Sequence, residues 1–107
     1  MSVINIGIKE LKEMIQSGEA EIIDVREPFE HADHHIKGDK LISMSMVPLK
    51  MNEIDWSKKV VVYCRTGARS MMIANMLSGQ GKDVYNLAPG IIEWAMNGDE
   101  EFIETSE

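Results

Sequence analysis

Apolar side chains recur every three to four residues in three segments of the chain, which is the spacing of one face of an α-helix. The pattern predicts helices over residues 8–15, 69–78 and 91–96. Gly18 and Gly79 follow the first two of these segments, and glycine is typical of the end of a helix. Pro28 and Pro48 predict two further short helical turns, because the first turn of a helix tolerates proline.

Short apolar runs between these segments predict the strands of a sheet. Residues 21–25 read EIIDV, and residues 84–87 form a similar run. Residues 59–63 read KVVVY, and such β-branched residues are typical of a strand buried on both faces of a parallel sheet. We therefore place this strand at the sheet centre. The segment 41–46 is compatible with one more strand, and the alternation of strands and helices predicts an α/β domain.

The composition is that of a single globular domain, and its charge limits the partners. The chain has 107 residues, of which 44% are hydrophobic and 27% charged, within the ordinary range for a globular protein. Eleven basic residues against eighteen acidic ones give a net charge of −7. This charge argues against a general affinity for nucleic acid or for an anionic membrane.

The two ends of the chain give further expectations. The N-terminus lacks a basic start followed by an apolar run, and no stretch approaches the ~18 apolar residues of a membrane span. The sequence therefore predicts a cytoplasmic protein. Residues 99–107 contain five acidic residues and no basic one. We expect them to form a solvated acidic tail behind a domain of residues 1–98.

Cys64 is the only cysteine of the chain and stands directly after the predicted central strand. A single cysteine excludes an internal disulfide and a multi-cysteine zinc site, and it favours a reducing compartment. The segment CRTGAR, residues 64–69, leads from this strand into the helix predicted over 69–78. Ligand crevices form at the carboxyl edge of a parallel sheet, and the N–H groups of such a loop suit an anion. The alternative interpretation is an inert, buried cysteine at a strand end.

Two of the three arginines of the chain, Arg65 and Arg69, flank this thiol. The helix dipole contributes only about 0.3 to 1 kcal/mol, which is less than one pKa unit and does not by itself ionise a thiol at neutral pH. Positive charge nearby lowers the pKa of cysteines to roughly 3.5 to 7.5. The planar fork of arginine also matches oxyanions. The sequence therefore predicts a nucleophilic Cys64 and a substrate that bears an oxyanion.

Three separated segments carry recognisable motifs: IIDVREPFEHADHHIKG at 22–38, VVVYCRTGARS at 60–70 and DVYNLAPGIIEWAMNG at 83–98. Together they resemble the single-domain rhodaneses, the thiosulfate sulfurtransferase family, over almost the full length of the chain. The resemblance implies a rhodanese-like three-layer α/β fold with a central, mostly parallel five-stranded sheet flanked by helices. It also implies that Cys64 carries sulfane sulfur as a persulfide.

The sulfurtransferase hypothesis gives each residue of the loop a role. Cys64 attacks the outer sulfur of thiosulfate or of a persulfide donor, while Arg65 and Arg69 hold the donor's oxyanion. The N–H groups expected to stabilise the anionic sulfur belong to Thr66, Gly67, Ala68 and Arg69. Because the chain has no second cysteine to resolve the persulfide, an external thiol, cyanide or a partner protein must accept the sulfur. No cofactor is expected.

The resemblance assigns supporting roles to Asp24, Arg26 and His35. It implies that Asp24 braces the active loop, that Arg26 pairs with a nearby acid such as Glu30, and that His35 packs and forms hydrogen bonds at the end of a short helix. His31 and His35 also have the i, i+4 spacing that can bind a transition metal. The sequence offers no third firm ligand, so no metal is predicted.

Two other functions are compatible with the sequence. The first is a sulfur-carrier or redox-sensing binding module with little turnover of free thiosulfate. The second is a phosphatase or arsenate reductase, since these enzymes also have a cysteine at a strand end and an arginine after a short loop. Their loop is one residue longer than the four residues between Cys64 and Arg69. A shorter ring of N–H groups is too tight for phosphate, which favours the sulfurtransferase.

Overall fold

The computed structural model describes residues 2–106, and short strands and helices alternate along them. In chain order these elements are β1 (Val3–Ile6), α1 (Ile8–Gln16), β2 (Ala20–Asp24), α2 (Pro28–Asp33), β3 (His34–Ile36), β4 (Lys40–Leu41), α3 (Val47–Lys50), β5 (Lys59–Tyr63), α4 (Ala68–Gly79), β6 (Val84–Leu87), α5 (Ile92–Met96) and β7 (Ile103–Thr105). None of the helices in this part of the chain is long and apolar enough to cross a membrane.

Five parallel strands form the central sheet in the order β1-β6-β5-β2-β4. β5 lies in the middle, with all of its residues after Lys59 buried. This confirms the position predicted from its β-branched run. Because the strands are parallel, their carboxyl ends share one edge, and the loop that begins at Cys64 leaves the sheet at this edge.

Helices cover both faces of the sheet, as the three-layer prediction required. Val62 and Cys64 pack with Leu77 of α4 on one face. Tyr63 packs with Trp94 of α5 on the other face. This alternation follows from the two-residue period of side chains along a strand. The face of the sheet that carries Cys64 is called the α4 face below, and the other the α5 face.

A second sheet, of two antiparallel strands, is formed by β3 and β7, with Ile36 opposite Ile103. The sequence predicted a solvated tail over 99–107, and this is wrong for the described part, since Phe102 and Ile103 are buried in the α5-face core. Burying two large apolar side chains contributes roughly 1.5–3 kcal/mol each, which outweighs the local charge pattern. Residue 107 lies outside the described residues.

The segment 41–46 is not one continuous strand, contrary to the expectation from its sequence. Only Lys40–Leu41 pairs with β2, and Met44–Met46 form a 3₁₀ turn that leads into α3. Ile42 and Val47 both insert into the core on the α4 face. In a continuous strand, residues five positions apart would point to opposite faces of the sheet. The turn between Ile42 and Val47 lets both side chains enter the same core.

Candidate active site

The thiol of Cys64 lies at the carboxyl edge of the sheet, just before the N-terminus of α4. The loop folds back over it, so that the N–H of Gly67 donates a hydrogen bond to Sγ at 3.1 Å. The hydroxyl of Ser70 lies 3.5 Å from Sγ and 3.2 Å from the carbonyl oxygen of Gly67, so these two acceptors share its one proton. Cys64 is only 1% exposed. The sulfur therefore lies inside the concavity of N–H groups that the sequence predicted between strand and helix.

These donors change the acidity of the thiol. Burial raises the pKa of Cys64, but hydrogen bonds from the Ser70 hydroxyl and from the N–H groups of Ser70, Gly67 and Thr66 outweigh it. The net pKa lies below the ordinary value of a thiol, because each donor favours the charged form. Ser70 was not among the site residues predicted from the sequence. Its position could have been found in the sequence, because a hydroxyl residue in the first turn of the helix after the loop can donate a hydrogen bond to the sulfur.

Two glycines let the backbone approach the loop closely. Gly67 has φ +98°, and a Cβ at this position would overlap the carbonyl oxygen of Ala88. Gly90 has φ +71°, and its Cβ would overlap the carbonyl of Arg65. Both positions favour glycine because of their left-handed backbone as well as the lack of space. The turn between β6 and α5 therefore packs directly against the loop.

Hydrogen bonds fix the same turn to the loop. The N–H of Ile91 donates to the carbonyl of Cys64 at 3.0 Å, and the N–H of Ile92 donates to the carbonyl of Arg65 at 3.1 Å. The two carbonyls thus point away from the sulfur. Their N–H partners belong to the third of the three sequence motifs, so a segment far from Cys64 in the sequence holds the loop in the fold.

The two arginines of the loop have different environments. Arg65 is exposed, and within residues 2–106 its guanidinium has no hydrogen-bond or ion-pair partner. Arg69 forms two hydrogen bonds to the carboxylate of Glu30, at 2.7 and 2.8 Å. These bonds raise the pKa of Arg69 and hold the pKa of Glu30 at about 2. Arg69 thus fastens α2 to the start of α4, while Arg65 is available to a ligand.

Arg26 pairs with a nearby acid, as the resemblance implied, but this acid is Asp24 and not the suggested Glu30. Its Nε and Nη2 donate to the two carboxylate oxygens of Asp24 at 3.0 and 2.9 Å, and Nη2 also donates to the carbonyl of His34 at 2.6 Å. Asp24 and Arg26 lie two residues apart on the same side of an extended segment, so they meet before either reaches Glu30. Both side chains are almost completely buried, and their charges are paired with each other.

A cleft of about 350 Å³ lies beside the loop. It is lined by Arg26, Phe29, Glu30, Asp33, His34 and Arg65. A larger, mostly apolar groove of about 540 Å³ runs between α4 and the Met44–Met46 turn. The exposed side chains of Phe29 and Met72 stand beside these two depressions. The charged cleft therefore borders the loop at Arg65, and the apolar groove lies along the helix that follows the loop.

His35 belongs to a different part of the molecule. Its Nδ1 lies 2.9 Å from the carbonyl oxygen of His31 and must donate, since a carbonyl only accepts. The rings of His31 and His35 are stacked with their centroids 3.9 Å apart. His31 Nε2 lies 3.0 Å from Asp39, whose other oxygen accepts a hydrogen bond from Tyr63. This group lies on the α5 face, whereas Cys64 lies on the α4 face. The strand β5 therefore separates the histidines from the thiol.

Comparisons with known proteins agree with the resemblance. A family model described as Rhodanese-like domain matches residues 7–97. A sulfurtransferase of Allochromatium vinosum is 41% identical over 78 residues, which are 72% of this chain and 73% of that protein. YrkF of Bacillus subtilis, named as a candidate sulfur carrier protein, is 34% identical over 95 residues; the match covers 87% of this chain but only 51% of YrkF. A rhodanese-like domain protein of Staphylococcus aureus superposes with a TM-score of 0.81 at 30% identity, covering 97% of this chain and 99% of that one.

Proposed function

Because the chain belongs to the rhodanese-like domain family, we propose that it is a sulfurtransferase that carries sulfane sulfur as a persulfide on Cys64. The observation that carries this proposal is the position of the Cys64 sulfur, which accepts hydrogen bonds from Gly67 and Ser70 at the N-terminus of α4. Such donors favour an anionic sulfur, either a thiolate or a persulfide. The name of the Allochromatium vinosum relative supports the same class of activity.

The reaction consists of two displacements at sulfur. In the first, the Cys64 thiolate attacks the outer sulfur of thiosulfate; a new S–S bond forms, the S–S bond of the donor breaks, and sulfite leaves with the electron pair. In the second, an acceptor thiolate or cyanide attacks the terminal sulfur of the persulfide and leaves as a persulfide or as thiocyanate. Cys64 returns as a thiolate, so the kinetics are ping-pong and no cofactor is required.

The arginines and the N–H groups of the loop have different roles in this reaction. Arg65 is exposed and, within residues 2–106, unpaired, so we assign to it the direct contact with the oxyanion of the donor. The N–H groups at 66–69 stabilise the terminal sulfur of the persulfide. Arg69 is held by Glu30, and its expected contribution to donor binding is through its charge.

A sulfur carrier that does not turn over thiosulfate is the second candidate. The likeness to YrkF favours it, since that protein is named for carrying sulfur. The exposed Phe29 and Met72 beside the loop are compatible with a protein that docks to deliver or accept sulfur. In both candidates Cys64 carries the sulfur, and a reducing, cytoplasmic setting preserves its thiol.

Mass spectrometry of the intact chain tests the step that both candidates share. Incubation with a persulfide donor or excess thiosulfate should add the mass of one sulfur atom, and cyanide or dithiothreitol should remove it. Cys64→Ser should gain nothing, because the hydroxyl is a poor nucleophile at neutral pH. Equal loading of the serine variant would refute the proposal.

Turnover separates the candidates. The enzyme should convert thiosulfate and cyanide to sulfite and thiocyanate repeatedly, whereas a carrier should be loaded by a cysteine desulfurase but turn over thiosulfate poorly. Hydrolysis of p-nitrophenyl phosphate is expected from neither. Phosphatase activity that depends on Cys64 would overturn the argument from loop length and the sulfurtransferase assignment with it.

A further inference from the structure

Three side chains around β3 bring metal-ligating atoms together. One such atom from each of His31, His35 and Asp39 lies within 4.8 Å of the others. The two histidines show the i, i+4 spacing, and the turn after β3 adds the carboxylate that the sequence alone did not place beside them. We propose that these residues, together with Glu104, form a binding site for a divalent transition-metal ion of the zinc type.

The hydrogen bonds around the cluster are those that orient metal ligands in proteins. His35 donates its Nδ1–H to the carbonyl of His31, which leaves the lone pair of Nε2 free to bind an ion. Asp39 accepts the hydroxyl of Tyr63 on one oxygen, so its other oxygen faces His31. Metal-ligating histidines and carboxylates usually have such outer partners.

β7 supplies a fourth ligand. Glu104 stands opposite His35 in the two-stranded sheet, and its Oε2 lies 3.9 Å from His35 Nε2. Two imidazoles and two carboxylates are a tetrahedral set that suits Zn²⁺. Bonds of about 2.0–2.2 Å put tetrahedral ligand atoms roughly 3.4 Å apart. Among His31, His35 and Asp39, no pair of ligand atoms therefore has to close by more than about 1.4 Å. The exposed Glu104 side chain, which lies outside this group of three, has to swing toward the ion.

Binding of the ion replaces two interactions of the cluster, the stacking of the histidine rings and the hydrogen bond between His31 and Asp39. The imidazole rings lie nearly parallel, with 11° between their planes, and must turn out of the stack so that both Nε2 atoms point at one ion. The ion displaces the proton shared by His31 Nε2 and Asp39, and this proton is released to water. Both histidines are partly exposed and Glu104 is mostly exposed, so an ion can reach them from solvent, whereas the Asp39 carboxylate is buried.

The site would join three separate parts of the chain. His31 belongs to α2, His35 to β3 and Glu104 to β7, so an ion here ties the C-terminal strand to the middle of the domain. A ligand that binds only the folded chain stabilises it by mass action. This consequence is independent of the sulfur chemistry, because Cys64 points to the other face of the sheet.

Titration with Zn²⁺ alone tests the proposal. The untagged full chain with Cys64→Ser serves as the parent, since a cysteine thiolate is itself a zinc ligand. Calorimetry should give one ion per chain, and zinc should raise the melting temperature. The variants His31→Gln, Asp39→Asn and Glu104→Gln should each bind at least about tenfold more weakly. His34→Gln, which changes a neighbouring histidine outside the cluster, should bind like the parent.

Co²⁺ gives a second readout, because the intensity of its visible absorption reports tetrahedral coordination and should fall in the same three variants. Asp39 also accepts a hydrogen bond from Tyr63, so Asp39→Asn could fail to fold. In that case the variants of the exposed Glu104 and the partly exposed His31 still test the site. Absence of binding by the parent would overturn the proposal. Equal affinity of the parent and of His31→Gln and Glu104→Gln would overturn it as well.

Discussion

At the scale of single residues, the thiol of Cys64 depends on one hydroxyl of the following helix. Ser70 is completely buried and donates to Sγ. Its replacement by alanine removes a donor to the thiolate, so the pKa of Cys64 should rise. One hydrogen bond is worth about 0.5–1.5 kcal/mol, which corresponds to a shift of roughly 0.5 to 1 pH unit. The pH dependence of alkylation by iodoacetamide measures this shift.

The wild-type chain and a matched variant serve as controls. The alkylation midpoint of the wild type should lie below the ordinary thiol value of about 8.5. Ser78→Ala makes the same change eight residues further along α4 and should leave the midpoint in place. A midpoint for Ser70→Ala equal to that of the wild type would contradict the assigned hydrogen bond.

Arg65 gives the second prediction at this scale. We expect Arg65→Ala to raise the KM for thiosulfate by roughly tenfold with a smaller effect on kcat, because a charged hydrogen bond to the bound donor is lost. Steady-state kinetics with cyanide as acceptor measure both constants. Lys9→Ala is the control. It removes one positive charge from an exposed position of α1, on the α5 face of the sheet, and should leave KM unchanged. An unchanged KM for Arg65→Ala would remove this residue from the donor site.

The sequence was informative about residues that lie in one continuous motif and much less so about pairs that the fold creates. The position of Cys64 at the edge of the sheet followed from its neighbours in the chain. Arg26 was expected to pair with a nearby acid such as Glu30, and it pairs instead with Asp24, the acid two residues before it in the chain. Neither the hydroxyl of Ser70 nor the place of Asp39 beside the histidines was foreseen, since both contacts depend on how distinct elements pack.

At the scale of elements, the loop after β5 keeps its shape because the turn between β6 and α5 packs against it. Gly90→Ala would place a methyl group on the carbonyl of Arg65 and require φ near +71° of a residue that disfavours it. We expect the free energy of unfolding to fall by about 2 to 4 kcal/mol, from strain and overlap together. Chemical denaturation measures this loss, and the sulfur-transfer rate should fall as well.

Gly81→Ala separates strain from overlap. Gly81 also has a positive φ, +86°, but no atom lies within 4 Å of the added Cβ. This variant should lose only the strain contribution of about 1 to 2 kcal/mol and transfer sulfur like the wild type. Equal effects of the two substitutions on stability and transfer would show that the turn does not support the loop.

Elements with a strong internal pattern were predictable, and elements that depend on a partner were not. β5 and α4 appear within one residue of the predicted bounds, since each has enough apolar residues to define its period. β1, β3 and β7 have only three or four residues each and were not predicted. Strands this short are defined by pairing, here with β6 and with each other.

At the scale of the whole molecule, the two faces of the sheet have separate roles. The α4 face contains the thiol together with α3 and α4. The α5 face contains the aromatic side chains of Tyr63, Trp94 and Phe102, and the two-stranded sheet closes it. The three inner strands that separate the two faces, β2, β5 and β6, are mostly buried. Changes on the α5 face should therefore alter stability much more than they alter the acidity of the thiol.

Phe102 provides the test of this division, because it is the residue by which the C-terminal segment enters the core. It is 7% exposed, and its ring lies 5.9 Å from that of Trp94. Phe102→Ala should lower the free energy of unfolding by about 3–5 kcal/mol, since a buried aromatic ring is lost and a cavity remains. Urea denaturation measures the loss. Phe29→Ala is the matched control: the same substitution at a side chain that is 75% exposed should change stability by no more than about 0.5 kcal/mol. If the two variants proved equally stable, the last residues would behave as the solvated tail that their charges suggested.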